Sequence, residues 1–429
     1  MENKQAIILL FVANTISGVA QGISMIAIPW YFTSIMSMGS TFGLLFTILT
    51  FISVFWSLYA GVLIDRFDRK RIFQIISLIG GFMLTGIALR GFQSGALTPL
   101  LAGAAFATTF LIYNIHFPNL YAFAQQITVP KDYGRITSFI EVQNQAASAL
   151  SGAVAALLLG GVSAGSYVVF GLKFHIGFNI TAWPLQKIFL LDGITYFLGL
   201  ALVSMIRYYS VSERLVESGR VWQRLKTGLS FLKKHPMLFM FGSLSFSIFV
   251  TLIIASFFLI PVYISQHLEA GVGAYAGFEI FFAIGSIMAG LFIRTIFKRT
   301  KPAMAVILMT FIASAIFIIS IFNYNLLFFF LLFMMLGLTN AGSRVMRATY
   351  IFNHIPNQYI GRTNSVFAQF HILFRLSFIS LFSIPFFMND GQVIYAFLIL
   401  GLFNLIAALL LSLFFKRIVS ENPPEAEKT

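Results

Sequence analysis

Gly61-Val-Leu-Ile-Asp65-Arg66-Phe-Asp68-Arg69-Lys70-Arg71 is the stretch on which the reading turns. It joins an apolar run at about 42–64 to another at about 72–90, and all but one of its last seven residues are charged. An apolar run of roughly 20 residues is long enough to cross the hydrocarbon of a bilayer as a helix. A cluster of charges between two such runs is therefore a short polar loop at one membrane face.

Working outward, further runs of this kind fall at about 6–36, 97–126, 134–161 and 186–206, then at 237–264, 272–297, 302–322, 325–352, 360–387 and 392–415. That makes twelve candidate spans, six on each side of a polar stretch at 207–236. A helix satisfies every backbone group within its own segment, so runs this long predict helices and not barrel strands. The fold class expected is an all-α polytopic membrane protein of two pseudo-symmetric six-helix bundles. Its parts are an N-terminal bundle at 1–206, a linker at 207–236, a C-terminal bundle at 237–415 and a tail at 416–429.

Composition agrees. Of 429 residues, 59% are hydrophobic and only 10% are charged, against about 25% charged in a soluble domain that must wet its surface. The formal net charge of +14 could by itself suggest nucleic acid. Here the basic residues sit in short loops between apolar runs, which is the membrane pattern, and no nucleic-acid partner is expected. With no cysteine there is no disulfide framework, Cys-based zinc site or thiol chemistry. No metal or cofactor is expected. Met1–Gln5 is too short and weakly basic for a signal-peptide n-region, so the first run is read as a retained span.

Loop charge orients the chain. The 2–3 loop, Lys131 and Arg135 in the 4–5 loop, Lys298, Arg299 and Lys301 in the 8–9 loop, the basic residues of 207–236, and Lys416-Arg417 all fall on one side of twelve spans. Only Arg90, Lys173 and Lys187 of the 28 basic residues fall on the other. Both termini are therefore expected in the cytoplasm. The location expected is multi-pass in a bacterial cytoplasmic (inner) membrane.

The two halves repeat. Pro130-Lys-Asp-Tyr133-Gly134-Arg135 enters span 5 and Pro356-Asn-Gln-Tyr359-Ile-Gly361-Arg362 enters span 11, with Arg135 and Arg362 separated by 227 residues. Gly61-Val-Leu-Ile-Asp65 ends span 2 and Gly290-Leu-Phe-Ile-Arg294 ends span 8, with Asp65 and Arg294 separated by 229. Two matching offsets at equivalent loops indicate a duplicated six-helix unit, the mark of transporters whose site lies at the repeat interface. In 207–236, Val221, Leu225, Leu229 and Leu232 recur at helical spacing among basic residues. This predicts an amphipathic helix on the anionic inner leaflet with Trp222 at headgroup level, or else a plain solvated linker helix. The apolar insertion at 162–185 reads as an interfacial or re-entrant piece, with Trp183-Pro184 starting span 6.

The Gly61–Arg71 stretch resembles the signature between helices 2 and 3 of the major facilitator superfamily. The form with Asp68 is similar to the macrolide-efflux and enterobactin-exporter-like group of drug:proton antiporters. So are Leu191-Asp192-Gly-Ile-Thr-Tyr-Phe197, the run from Leu225 to Pro236, and Ile355-Pro356 through Ser365. The resemblance spans nearly the whole chain and implies a secondary transporter without enzymatic activity. One departure stands out. Span 5 reads Ser148-Ala-Leu-Ser-Gly152 through Gly160-Gly161 and lacks the Gly-Pro of the usual antiporter motif.

Ionisable residues within spans are candidates by cost alone. Glu279, Glu141 and Asp192 are the proton-coupling candidates, because a carboxyl in low dielectric favours its neutral form. Glu279 has no charged neighbour in its span; Asp192 lies toward the outer boundary, where it could merely cap span 6. Each could equally be structural. Arg375, one turn after His371, could meet an anionic group of the substrate or neutralise a carboxylate. Arg344 and Arg347 share a face with Asn340 and either snorkel to the headgroups or close a cytoplasmic gate against Glu141.

Asn14, Gly18, Gln21 and Met25 form one stripe on span 1, and Asn114, Tyr121 and Gln125 another on span 4. The resemblance makes both stripes binding surface, since helices 1, 4, 7 and 10 line the cavity in that superfamily. Ordinary interhelical hydrogen bonding is the alternative. The gate candidates at the loops are Gly61, Asp65, Arg66, Arg69, Lys70, Arg71, Gly134, Arg135, Gly361 and Arg362. Asp65 could face the positive end of span 11 and lock one state, while the adjacent basic residues hold anionic lipid.

The expected function is a monomeric transporter exporting a drug-like or siderophore-like amphipathic small molecule by alternating access, with proton coupling. A lipid or lysolipid flippase is the second transporter reading. A membrane-embedded enzyme is disfavoured because the three carboxylates fall at different depths. No G-x-x-x-x-G-K-[ST] is present, so direct ATP drive is not encoded here.

Overall fold

The computed structural model describes residues 3–129, 132–161, 166–169, 172–175, 179–209 and 221–420. Twelve helices are long and apolar enough to span a membrane, and they follow the twelve expected runs to within a few residues. They are α1 (Lys4–Trp30, carried on by a wide π turn at Tyr31–Ile35), α2 (Gly39–Arg66), α3 (Arg69–Ser94), α4 (Pro99–Gln126), α5 (Tyr133–Gly160) and α6 (Leu185–Met205). The second six are α7 (Pro236–His267), α8 (Val272–Ile296), α9 (Pro302–Ser320), α10 (Leu326–His354), α11 (Asn357–Phe382) and α12 (Val393–Leu413). The largest boundary difference is at α11. It stops at Phe382 and not near 387, because Pro385 follows and a proline restricts the residue before it and supplies no N–H.

The chain divides into two compact units. The first is Met1–Ser218 with Ala270–Ile280, and the second is Gly219–Glu269 with Phe281–Thr429. In the first unit α1 is the central helix, with α4, α5 and α6 around it. Phe42 on α2 packs on Phe106 of α4 at 5.0 Å between ring centres. In the second unit α9 packs on α10 and α12, and α8 crosses α10 at glycines. A Cβ on Gly285 would lie 1.8 Å from the carbonyl oxygen of Met334, and one on Gly337 2.2 Å from that of Phe282. Two helices can approach this closely only where a glycine faces the other backbone, the usual device for packing helices in lipid.

Each unit also contains one copy of a device that sequence offsets alone had not exposed. Pro29 is followed two residues on by Tyr31 at the π turn of α1. Pro261 is followed two residues on by Tyr263 at a π turn of α7. Both residues of the pair are offset by 232. The Tyr31 hydroxyl donates to the Leu97 carbonyl at 2.8 Å, just before α4. That of Tyr263 donates to the carbonyls of Ser320 at 2.7 Å and Asn323 at 3.2 Å, just before α10. In both cases a proline breaks the regular ladder and the next turn widens. The phenol then ties the first helix of the bundle to the loop before the fourth.

The insertion between α5 and α6 does not form a re-entrant helix among its described residues. It carries a hairpin, β1 (Ser166–Val169) against β2 (Leu172–His175), antiparallel with Ser166 opposite His175. α6 starts at Leu185 with Pro184 as its N-cap, as Trp183-Pro184 suggested. In the linker, Val221–Lys234 is helical, while 210–220 lie outside the described residues. This linker helix docks on the start of α11. A Cβ on Gly228 would lie 2.5 Å from the Arg362 carbonyl oxygen, and Phe231 stacks on Tyr359 at 4.5 Å. Trp222 is 75% exposed.

Candidate transport sites

In the first unit each carboxyl within a span accepts from a hydroxyl on a neighbouring helix. Ser17, Gln21 and Ser24 recur at i, i+4 and i+7 on α1 and face α6. Ser24 donates to Asp192 Oδ2 at 2.6 Å, Gln21 Nε2 reaches the Tyr196 hydroxyl at 3.2 Å, and Ser17 reaches the Thr195 carbonyl at 3.4 Å. Asp192 is fully buried, and its Oδ1 has no hydrogen-bond partner among the described residues. It lies two turns into α6, with Pro184 in the cap position, so the capping role open to it from sequence does not apply. Apart from Gln21, this polar stripe was not singled out from sequence; the 17–21–24 spacing of small polar residues was its signal.

Glu279, on the part of α8 that belongs to the first unit, accepts a hydrogen bond from the Ser148 hydroxyl of α5 at 2.6 Å. Gly152 makes this possible, since a Cβ there would come within 2.8 Å of the Glu279 Cβ. The span 5 segment that lacks the antiporter Gly-Pro is thus the surface on which Glu279 rests. Glu141 accepts from the Tyr121 hydroxyl of α4 at 2.8 Å. Neither Asp192 nor Glu279 pairs with a cation among the described residues.

The remaining polar candidates of this unit are mostly spoken for. Asn14 is buried, donates to Gln143 Oε1 at 3.1 Å and meets His116 Nε2 through its own oxygen at 2.8 Å. Gln143 also reaches Thr15 and the Phe11 carbonyl. The void beside Asn14 and His116 is about 10 Å³, room for one water and far below the roughly 300 Å³ of a small-molecule site. Asn114 turns its amide back to the Phe110 carbonyl at 2.7 Å. Gln125 is exposed.

At the 2–3 loop, Asp68 caps α3 by accepting from the Arg71 N–H at 2.9 Å, and also accepts from the Tyr208 hydroxyl at 3.0 Å. Arg69 donates to the Ala122 carbonyl at 2.6 Å. Lys70 donates to the carbonyls of Ser204 at 3.0 Å and Ile206 at 2.8 Å. Cations at the open carbonyls of helix ends offset both the unpaired acceptors and the helix dipole. The signature thus fastens α3 to the ends of α4 and α6. Gly61, Arg66 and Arg71 are exposed, and Asp65 is half-buried at the end of α2. Gly134 and Arg135 are exposed at the start of α5, with Arg135 over the Phe139 ring at 5.5 Å. Asp65 and Arg362, paired in the expected lock, belong to different units.

In the second unit α7 is interrupted at Ser245-Phe246, between helical segments Pro236–Leu244 and Ser247–Ile254. Arg347 of α10 donates from Nη1 to the Ser245 carbonyl at 2.9 Å. Its guanidinium carbon sits 3.5 Å from the centre of the Phe246 ring. Arg347 is only 7% exposed, so snorkelling does not describe it; Arg344, one turn earlier, is exposed. His371 of α11 packs on the same Phe246 ring, with ring centres 3.5 Å apart. It feels the charges of both Arg347 and Arg375. Arg375 is half-buried, as is Arg362, while Gly361 is exposed. Spacing along α10 groups Arg347 with Arg344 and carries no sign of the break in α7 toward which Arg347 points.

Among curated proteins the sequence finds no match. Solved structures with the same fold include the nucleoside transporter NupG, at 13% identity over 96% of this chain and 99% of that one, TM-score 0.66. A D-xylose–proton symporter is 14% identical over 94% and 97%, TM-score 0.67. A bacterial homologue of the human lysosomal transporter Spinster is 11% identical over 99% and 100%, TM-score 0.66. The family model for the Major Facilitator Superfamily matches residues 10–375. A match that runs from the first of the twelve spans into the eleventh means that the chain belongs to the Major Facilitator Superfamily.

Proposed function

We propose that this multi-pass membrane transporter is a proton-coupled exporter of amphipathic small molecules in a bacterial inner membrane, with both termini in the cytoplasm. That it is a membrane transporter follows from its family. The observation that carries the coupling is the state of Asp192 and Glu279, each held by one serine hydroxyl and paired with no cation among the described residues. A carboxyl in such a place is costly to charge, so it carries a proton through the membrane interior and releases it where water enters. Glu279 is the first candidate because it is half-buried and can be rewetted without dismantling the α1–α6 contact. Asp192 is the second.

Export of an amphipathic solute is supported by the resemblance of Gly61–Arg71 to the efflux-group signature, and the cytoplasmic termini by the Lys and Arg of the short loops. The experiment is transport of a panel of amphipathic compounds into proteoliposomes with and without an imposed pH gradient. Flux that responds to the gradient and is lost in Glu279→Gln supports the reading. Flux indifferent to the gradient removes proton coupling, and transport of sugars or nucleosides alone removes the amphipathic class.

A further inference from the structure

The interior charges of this protein are divided between its two units. Asp192, Glu141 and Glu279 belong to the first. The described spans of the second, with α8 counted from Phe281, contain no aspartate or glutamate; its described acidic residues, Glu269 and Asp390, lie in loops. The same spans contain Arg344, Arg347, Arg362 and Arg375.

Arg347 is the most deeply placed of these, and its surroundings are unusual for a structural cation. A guanidinium has five N–H donors in a planar fork suited to a carboxylate or phosphate. This one gives Nη1 to a backbone carbonyl and lays its face on Phe246. No carboxylate among the described residues pairs with it. A carbonyl dipole and an aromatic face each stabilise a buried cation, but they do not neutralise it, and a buried charge without a counter-charge is costly to keep. On the other contact of Phe246, His371 Nε2 is buried with no hydrogen-bond partner among the described residues. Arg375, one turn after His371 on α11, adds a second positive charge.

We infer that the break in α7, Arg347, His371 and Arg375 form a subsite for an anionic headgroup, a carboxylate or phosphate, carried on an apolar body. This rests on the transport reading above and narrows its substrate class. The anion supplies the missing counter-charge to Arg347 and takes the open donors around it. Phe246 and Phe249, whose ring centres lie 3.5 and 6.3 Å from that of His371, offer the aromatic contact that an apolar body needs. An interrupted first helix of a bundle is where transporters expose backbone groups to a solute.

The test uses the full-length protein in phosphatidylcholine nanodiscs with 11-(dansylamino)undecanoate as probe and its methyl ester as neutral match. Fluorescence titration, with empty nanodiscs subtracted, is expected to give the carboxylate an advantage of about tenfold, the worth of a charge-assisted hydrogen bond. Arg347→Gln is expected to abolish the advantage, so that acid and ester bind equally. Arg347→Lys keeps the charge but loses the fork, and is expected to retain part of it. Equal binding of acid and ester to the unmodified protein overturns the inference without any variant. An undiminished preference in a monodisperse Arg347→Gln protein overturns it too.

Adding phosphatidylglycerol separates the two sources of such a headgroup. Displacement of the probe identifies a lipid anion, and unchanged binding a free solute; both sustain the subsite. Proteoliposome flux separates this inference from the reading beneath it. Transport of the ester with no preference for the acid leaves the exporter standing and the subsite refuted. Selective binding of the acid with no transport does the reverse.

Discussion

Ser24 on α1 donates its hydroxyl to Asp192 on α6 at 2.6 Å, and Asp192 has no other hydrogen-bond partner among the described residues. One serine thus supplies the one hydrogen bond that this fully buried carboxyl accepts among the described residues. Asp192→Asn is nearly isosteric and keeps an acceptor for Ser24. It should fold and retain solute binding, and any share of the pH-gradient response that Asp192 carries should vanish in proteoliposome flux. An unaltered response assigns Asp192 to structure. Ser24→Ala should lower stability by about 1–3 kcal/mol, read as a fall in the thermal midpoint.

Gly152 lies against Glu279, with only 2.8 Å available to a new Cβ. Gly152→Ala should push the Glu279 side chain off Ser148 and cost about 1–3 kcal/mol by overpacking. Ser148→Ala removes the same hydrogen bond without adding bulk and should cost about 1 kcal/mol. Comparing the two in gradient-driven flux tells whether the position of Glu279 or only its hydrogen bond matters. Equal, unimpaired flux in both would show that neither does.

Glycines differ sharply in what they tolerate. Gly285→Ala and Gly337→Ala each drive a methyl into a carbonyl oxygen at the α8–α10 crossing, and should reduce folded yield severely, at 3 kcal/mol or roughly more. Gly18→Ala, with nothing within 4 Å of its Cβ, should express like the parent. Monodisperse yield by size-exclusion chromatography checks all three, and a normal yield for Gly337→Ala would contradict the close crossing.

Tyr31→Phe and Tyr263→Phe each delete a phenol that ties the first helix of a bundle to the loop before its fourth. Tyr31→Phe should cost about 1 kcal/mol and Tyr263→Phe somewhat more, since its hydroxyl is fully buried and bridges two carbonyls. As the two lie in separate units, the double variant should lose the sum of the single losses. Thermal midpoints in detergent would reveal coupling if the double variant fell short of or exceeded that sum.

Lys70 donates to two carbonyls at the end of α6. Lys70→Met keeps the length of the side chain and removes the charge, so it should loosen that helix end by about 1 kcal/mol. Faster amide exchange at residues 203–206, with exchange in α8–α12 unchanged, would be the signature. No change there would mean that the signature loop does not fasten α6.

Much of this protein was determined by its sequence alone. Twelve spans, their ends to within a few residues, the duplication and the family could be read because lipid imposes a length on every apolar run. Short loops also concentrate the charges that lipid refuses. The buried ionisable residues could be listed for the same reason: Asp192, Glu279, Arg347 and Arg375 stand out against apolar neighbours wherever they point. What they point at was decided only by tertiary structure. Spacing along a helix gives a face but not the helix opposite it, so it could not separate Arg347, turned to the Ser245 carbonyl, from exposed Arg344 one turn earlier. It could not show that Asn14 closes on Gln143 and His116, or that Ser24 meets Asp192. These are contacts between segments more than a hundred residues apart, in which a hydroxyl or a carbonyl carries no mark in the chain until packing brings it to its partner.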